Sequence, residues 1–148
     1  MKRIILSLIV LSSVMISCKK DDAPATCEKT VAGIAANYKI TKVELVTSTA
    51  NSDITDAILD ACKKNAIYQL KANNSFIYTE IGSSCTGSNT GSWNVANNAI
   101  SIVSGTGSGA ISFTNAPITG WDCSTLTVTQ DIVFVGTASN AKFTFVKQ

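Results

Sequence analysis

Residues 66–81 read Ala-Ile-Tyr-Gln-Leu-Lys-Ala-Asn-Asn-Ser-Phe-Ile-Tyr-Thr-Glu-Ile, and this stretch decides the fold. Segments 66–72 and 75–81 alternate apolar and polar residues around Asn73-Asn74. A period of two marks a strand with one face on a core, and asparagine tolerates the left-handed backbone of a tight hairpin turn. The pattern repeats downstream. Residues 91–96 and 99–104 flank Asn97-Asn98, and Gly105-Thr106-Gly107-Ser108-Gly109 reads as a turn before a strand at 110–114. A long strand at 125–135 places Leu126, Val128, Ile132 and Phe134 on one face, and 141–147 ends the chain with Phe143 and Phe145 sharing a face.

Upstream, residues 38–46 read as the first strand. Tyr38 and Ile40 are in phase, Val43 and Leu45 are shifted by one, and a bulge near Thr41-Lys42 accounts for the shift. One helix should follow, with Asp53 as N-cap, Ile54, Ala57, Ile58, Ala61 and Cys62 on one face, and Lys63-Lys64 in the last turn. About eight antiparallel strands joined by short turns must hide their edges. The fold class expected is therefore all-β: an up-and-down β-barrel with one short helix after the first strand.

The motifs Cys62, Ala72-Asn73-Asn74-Ser75-Phe76, Cys85 and Gly91-Ser92-Trp93 carry a likeness. In that order they resemble the lipocalin-like domain of small bacterial surface lipoproteins, over residues 37–147. The resemblance implies a small barrel, with Asn-Asn standing where that family tends to have Asp-Gly. Cys27 and Cys123 are not clearly part of the pattern.

The amino terminus gives an address. Met1-Lys2-Arg3 is basic, 4–16 is apolar apart from serines, and Ser17-Cys18 ends the run. Such a segment is laid out as a secretory signal and is shorter than the ~20 apolar residues a membrane helix needs. Val14-Met15-Ile16-Ser17-Cys18 resembles a bacterial lipobox, although Met15 stands where leucine is usual. The division expected is a signal peptide at 1–17, a lipidated amino terminus and flexible tether at 18–36, and a barrel domain at 37–148. Cys18 would carry diacylglycerol and fatty acyl chains such as palmitate, each buried CH₂ contributing about 0.8 kcal/mol to anchoring. Lys19-Lys20-Asp21-Asp22 looks like the export tag of some Gram-negative surface lipoproteins. The expected location is the cell envelope, as an outer-membrane lipoprotein at the cell surface, with the membrane as first partner.

Lys2 and Arg3 carry the whole formal charge of +2, and both leave with the signal. The balanced remainder offers no electrostatic footprint for nucleic acid. With Cys18 assigned to lipid, Cys27, Cys62, Cys85 and Cys123 form an even set, which in an oxidising compartment argues for two disulfides in one of three connectivities. Cys62–Cys85 is preferred because the two flank the hairpin, which leaves Cys27–Cys123. The chain has no histidine and no closely spaced cysteine pair, which argues against zinc. Without histidine no Ser-His or Cys-His pairing can form, the acids are scattered, and no enzyme or cofactor is expected.

Two functional classes remain. In the first, the barrel binds a small apolar or amphipathic ligand, with Trp93 and Tyr78 or Tyr68 lining a pocket at one end. In the second, the barrel is filled and the chain is a non-enzymatic accessory or adhesion lipoprotein. Trp121, between Gly120 and Asp122, reads as an exposed loop residue suited to contact a sugar or protein. The anchor yields the first test: Cys18→Ser should abolish fatty-acid labelling and move the protein out of the membrane fraction. A variant that stays acylated and membrane-bound defeats the lipobox reading.

Overall fold

The computed structural model describes residues 26–105 and 107–148. The chain runs α1 (Val31–Ile34), β1 (Ala36–Val46), β2 (Asn51–Asp53), α2 (Thr55–Ile58), α3 (Ala61–Lys64), β3 (Ile67–Leu70), β4 (Ser75–Thr79), β5 (Ser88–Ala96), β6 (Ala99–Ser104), β7 (Phe113–Trp121), β8 (Thr125–Phe134) and β9 (Thr137–Lys147). From β3 to β9 each strand pairs antiparallel with the next. β1 closes the ring by pairing with β9 from Tyr38↔Lys147 to Val46↔Asn140, and with β3 through Ala36, Asn37 and Tyr38. Eight strands thus form the closed antiparallel barrel, and β2 adds a short ninth beside the second half of β1. The expected bulge is present, with the β1–β9 register slipping between Ile40 and Lys42. That slip lets Tyr38, Ile40 and Val43 all face inward.

The hairpin at 66–81 pairs Tyr68↔Tyr78 and Leu70↔Phe76. Its turn holds Asn74 at φ 65°, while the Asn73 carboxamide oxygen accepts from the Ser75 N–H at 3.1 Å. At the second Asn-Asn, both Asn97 (φ 50°) and Asn98 (φ 59°) are left-handed, the backbone of a two-residue hairpin turn that matches strand twist. Both expected disulfides join, Cys27–Cys123 and Cys62–Cys85.

Several features differ from expectation. The single helix is two separate turns, because Leu59 between them is extended and fully buried, which pulls the chain out of helical geometry. Asp53 does not cap; its carboxylate accepts from the Thr55 N–H (2.9 Å) and hydroxyl (2.6 Å), and Asp60 caps α3 instead through the Lys63 N–H. A strand at 110–114 is replaced by β7, which starts at Phe113 and runs to Trp121. Trp121 therefore ends a strand, half-buried, with its ring 6.5 Å from that of Tyr38. Finally, the described part of the tether is structured. Cys27 is bonded to the β7–β8 turn, Thr30 caps α1, and Ile34 is fully buried with its carbonyl accepting from the Tyr38 hydroxyl at 2.6 Å. Ile34 belongs to the buried apolar core, so ordered structure starts before residue 37. The signal, Cys18 and residues 19–25 lie outside the described residues.

The disulfides span 23 and 96 residues, so by chain entropy they stabilise by about 3 and about 5 kcal/mol. Replacing Cys62 and Cys85 by serine should lower unfolding free energy by the smaller figure, and replacing Cys27 and Cys123 by the larger. Denaturant titration of the two double variants checks the order. A Cys27–Cys62 peptide in an unreduced digest would contradict the connectivity.

Candidate functional site

The ligand site expected from Trp93, Tyr78 and Tyr68 would lie inside the barrel. Inward positions on successive strands supply rings, and the rings meet. Tyr68 packs on Tyr78 at 5.0 Å between centroids, on Phe145 at 5.6 Å and on Phe76 at 5.8 Å. Phe113 packs edge-on against Phe143 at 5.0 Å and against Phe145 at 5.4 Å. Aromatic pairs at these separations contribute roughly 0.5–1.5 kcal/mol each beyond the area they bury. Tyr38, Tyr68, Tyr78 and Trp93 are all 2% exposed or less.

The structure brings Tyr68 and Tyr78 together but leaves Trp93 apart. Tyr78 lies across from Asn89 on β5, and Trp93 is four residues further along that strand, roughly 13 Å at the usual rise. Its indole N–H donates to the Lys71 carbonyl at 2.8 Å, holding the ring toward the barrel end that carries α1 and the carboxy terminus.

The opposite end is built from α2, α3 and the loops 80–87 and 107–112. Glu80 is the centre of its hydrogen bonding. The Tyr78 hydroxyl donates to Glu80 Oε1 at 2.9 Å, and the Gly87 N–H donates to Oε2 at 2.9 Å. The Ile111 N–H donates to the Tyr68 hydroxyl at 3.2 Å, tying the second loop across the same opening. Gly109 passes so close that a Cβ there would strike the Glu80 carboxylate and the Tyr78 ring, and its φ of 91° also suits glycine. Cys62, Glu80 and Cys85 place their ligand atoms within 4.8 Å of one another, but the two sulfurs are bonded to each other. The sequence does contain a signal for Glu80: it continues the Phe76, Tyr78 parity, putting an acid on the inward face of an alternating strand.

Burial sets the tyrosine chemistry. Desolvation pushes the Tyr38 phenol up to about 12. It also raises Tyr68, and it raises Tyr78 with help from the hydrogen bond and charge of Glu80. On the exterior, an open groove of about 690 Å³ runs between α2 and Phe134, walled by Thr41, Asp53, Ile54 and Thr55. The Thr55 hydroxyl and N–H hold the Asp53 carboxyl below the usual carboxylate range. Exposed apolar side chains gather at the end of β8 and on the β8–β9 turn, where Val133 is 76% and Val135 87% exposed.

No protein-family model, curated protein or solved structure matches this chain.

The chain's three tyrosines are all buried, and burial favours the neutral phenol. A folded-state value above the unfolded value near 10 means stability fully present below pH ~10 and lost as pH climbs through the raised values. For Tyr38 that window runs from ~10 to about 12. Phenolate absorbance should stay absent near pH 10 and then rise together with loss of native circular dichroism. A third of the signal titrating near pH 10 in folded protein would show one ring to be open to water.

Proposed function

We propose that this chain is a lipid-anchored, lipocalin-like surface lipoprotein of the bacterial envelope whose barrel is filled. It works by protein contact through its exterior, not by catalysis and not by enclosing a small molecule. The observation that carries this reading is the contact network of inward rings, with Tyr68, Tyr78 and Trp93 fully covered. Ile34 adds to the core near the start of β1, and the Glu80 and Ile111 loops are tied to the inward tyrosines at the other end. A molecule inside would have to displace rings that already touch.

The lipid assignment fits the geometry of the described chain. Cys27 is bonded to Cys123 in the β7–β8 turn, at the end where α1 and the carboxy terminus lie. Eight residues, 19–26, would join acylated Cys18 to Cys27, nine steps with a reach of at most ~32 Å. The end bearing α2, α3 and the β8–β9 turn would then face away from the membrane and toward partners. The Ser-, Thr- and Asn-rich outer faces of the strands suit exposure there.

Native mass spectrometry of protein extracted in mild detergent should show the chain and its anchor with no further small molecule. Trp93→Ala should lower stability by about 3–5 kcal/mol, the cost of emptying a packed aromatic site. A stoichiometric apolar molecule that co-purifies with the native chain and is lost in Trp93→Ala would instead establish the ligand-binding barrel.

A further inference from the structure

Three side chains able to hold a metal meet where loop 80–87 lies against α3. Cys62, Glu80 and Cys85 each bring a ligand atom to within 4.8 Å of the other two, and all three residues are half-buried. The sequence has no closely spaced cysteine pair; the fold makes one. Bare backbone walls the cluster. A Cβ on Gly82 would stand 2.9 Å from the Cys85 sulfur, and one on Gly87 or Gly109 would strike the Glu80 carboxylate. Gly87 has no positive φ, so close approach alone explains glycine at that position.

Each of the three is positioned by contacts other than the bond between the sulfurs. Cys62 lies between Leu59 and Ala66, both fully buried, and Asp60 caps α3 by accepting from the Lys63 N–H at 2.9 Å. The Glu80 N–H donates to the Gly87 carbonyl at 2.9 Å, and the Cys85 N–H donates to the Gly82 carbonyl at 3.1 Å. Those bonds fold loop 80–87 back on itself beside α3. Glu80 is also aimed. Its Oε1 accepts from the Tyr78 hydroxyl and its Oε2 from the Gly87 N–H, yet each oxygen of a carboxylate keeps a second lone pair. Carboxylates that ligate metals are oriented by such donors.

We propose that Cys62, Cys85 and Glu80 are a zinc site that the disulfide masks and that reduction opens. A dithiol gives two electrons and two protons to the Cys62–Cys85 bond and departs as its own disulfide. The two thiols then release their protons as Zn²⁺ binds both sulfurs. Two thiolates and a carboxylate put three negative charges into one half-buried corner, and a divalent cation offsets them. At a Zn–S distance of about 2.3 Å and a Zn–O distance of about 2.1 Å, tetrahedral ligand atoms stand roughly 3.6–3.8 Å apart, within the span of this trio. Three protein ligands leave the fourth position to water. Thiolates favour zinc over Ca²⁺ and Mg²⁺, which take oxygen ligands. Because α3 and loop 80–87 are tied down separately, the trio stays assembled in the reduced chain.

The full chain in detergent, reduced with a phosphine and then freed of it, is titrated with Zn²⁺, and with Co²⁺ as a coloured probe. The reduced chain should take up one ion and show a thiolate-to-cobalt charge-transfer band. The oxidised chain should bind at least a hundredfold more weakly. Glu80→Gln keeps a side-chain oxygen for Tyr78 and Gly87, and in the reduced chain it should weaken zinc at least tenfold. Cys62→Ser with Cys85→Ser should abolish binding, although Cys27 and Cys123 remain. Zinc should also raise the denaturant midpoint of the reduced chain, as a ligand of the folded state does. Binding that survives the two serines, an unchanged affinity in Glu80→Gln, or a reduced chain that stays unfolded with zinc present overturns the proposal. Each of these failures leaves the filled barrel standing, since that reading is decided at Trp93.

Discussion

The architecture depends on filling a cylinder of fixed width. Eight strands enclose a space that side chains can just occupy, and the inward positions here occupy it with tyrosine and phenylalanine. Tyr68 is the hub, touching Phe76, Tyr78 and Phe145. Two of the other features follow from it. A tyrosine in such a core must satisfy its hydroxyl, which is why Tyr68 accepts from Ile111 and Tyr78 donates to Glu80. Those two bonds draw the loops 107–112 and 80–87 over the opening. The lid over this barrel is thus a by-product of using tyrosine where phenylalanine would have needed no partner.

Much of this was legible in the sequence. Alternation located β1, β3 to β6, β8 and β9, the phase shift between Ile40 and Val43 located the bulge, and the hairpin reading paired Cys62 with Cys85. What escaped detection has a common physical cause. Leu59 breaks the helix because a tertiary demand for burial outweighs local helical spacing, and no local pattern reports that demand. β7 was hidden because its alternation, Phe113, Ala116, Ile118, slips by one residue at left-handed Asn115. The role of residues 27–36 depends on a disulfide partner ninety-six positions away. The polar cover centred on Glu80 belongs to loops, whose course over a barrel mouth is set by what lies beneath them.

For function, the two readings left open by the sequence use the same aromatic residues differently. A pocket needs rings that line a space, whereas a filled core needs rings that meet. The centroid separations favour the second, and the proposed function accordingly rests on the outside of the molecule. That surface is uneven: the end bearing α1 and the carboxy terminus is stapled by Cys27–Cys123, and the other end carries an open groove and a β8–β9 turn with exposed valines. Attachment through the amino terminus would present the less protected end to the surroundings.

The ring is closed by its first and last strands. Tyr38 pairs with Lys147, so the contact that seals the barrel joins positions near opposite ends of the chain. Folding of such a molecule is dominated by distant contacts and is slow relative to helical proteins. A ribosome or translocon releasing the chain from its amino terminus delivers β1 long before β9 exists. Until residue 147 is free, β1 and β8 each present an open edge, and no partial product of synthesis can be a closed barrel. The order of manufacture thus runs against the order of closure, and the whole chain must be out before any of it is safe from mispairing.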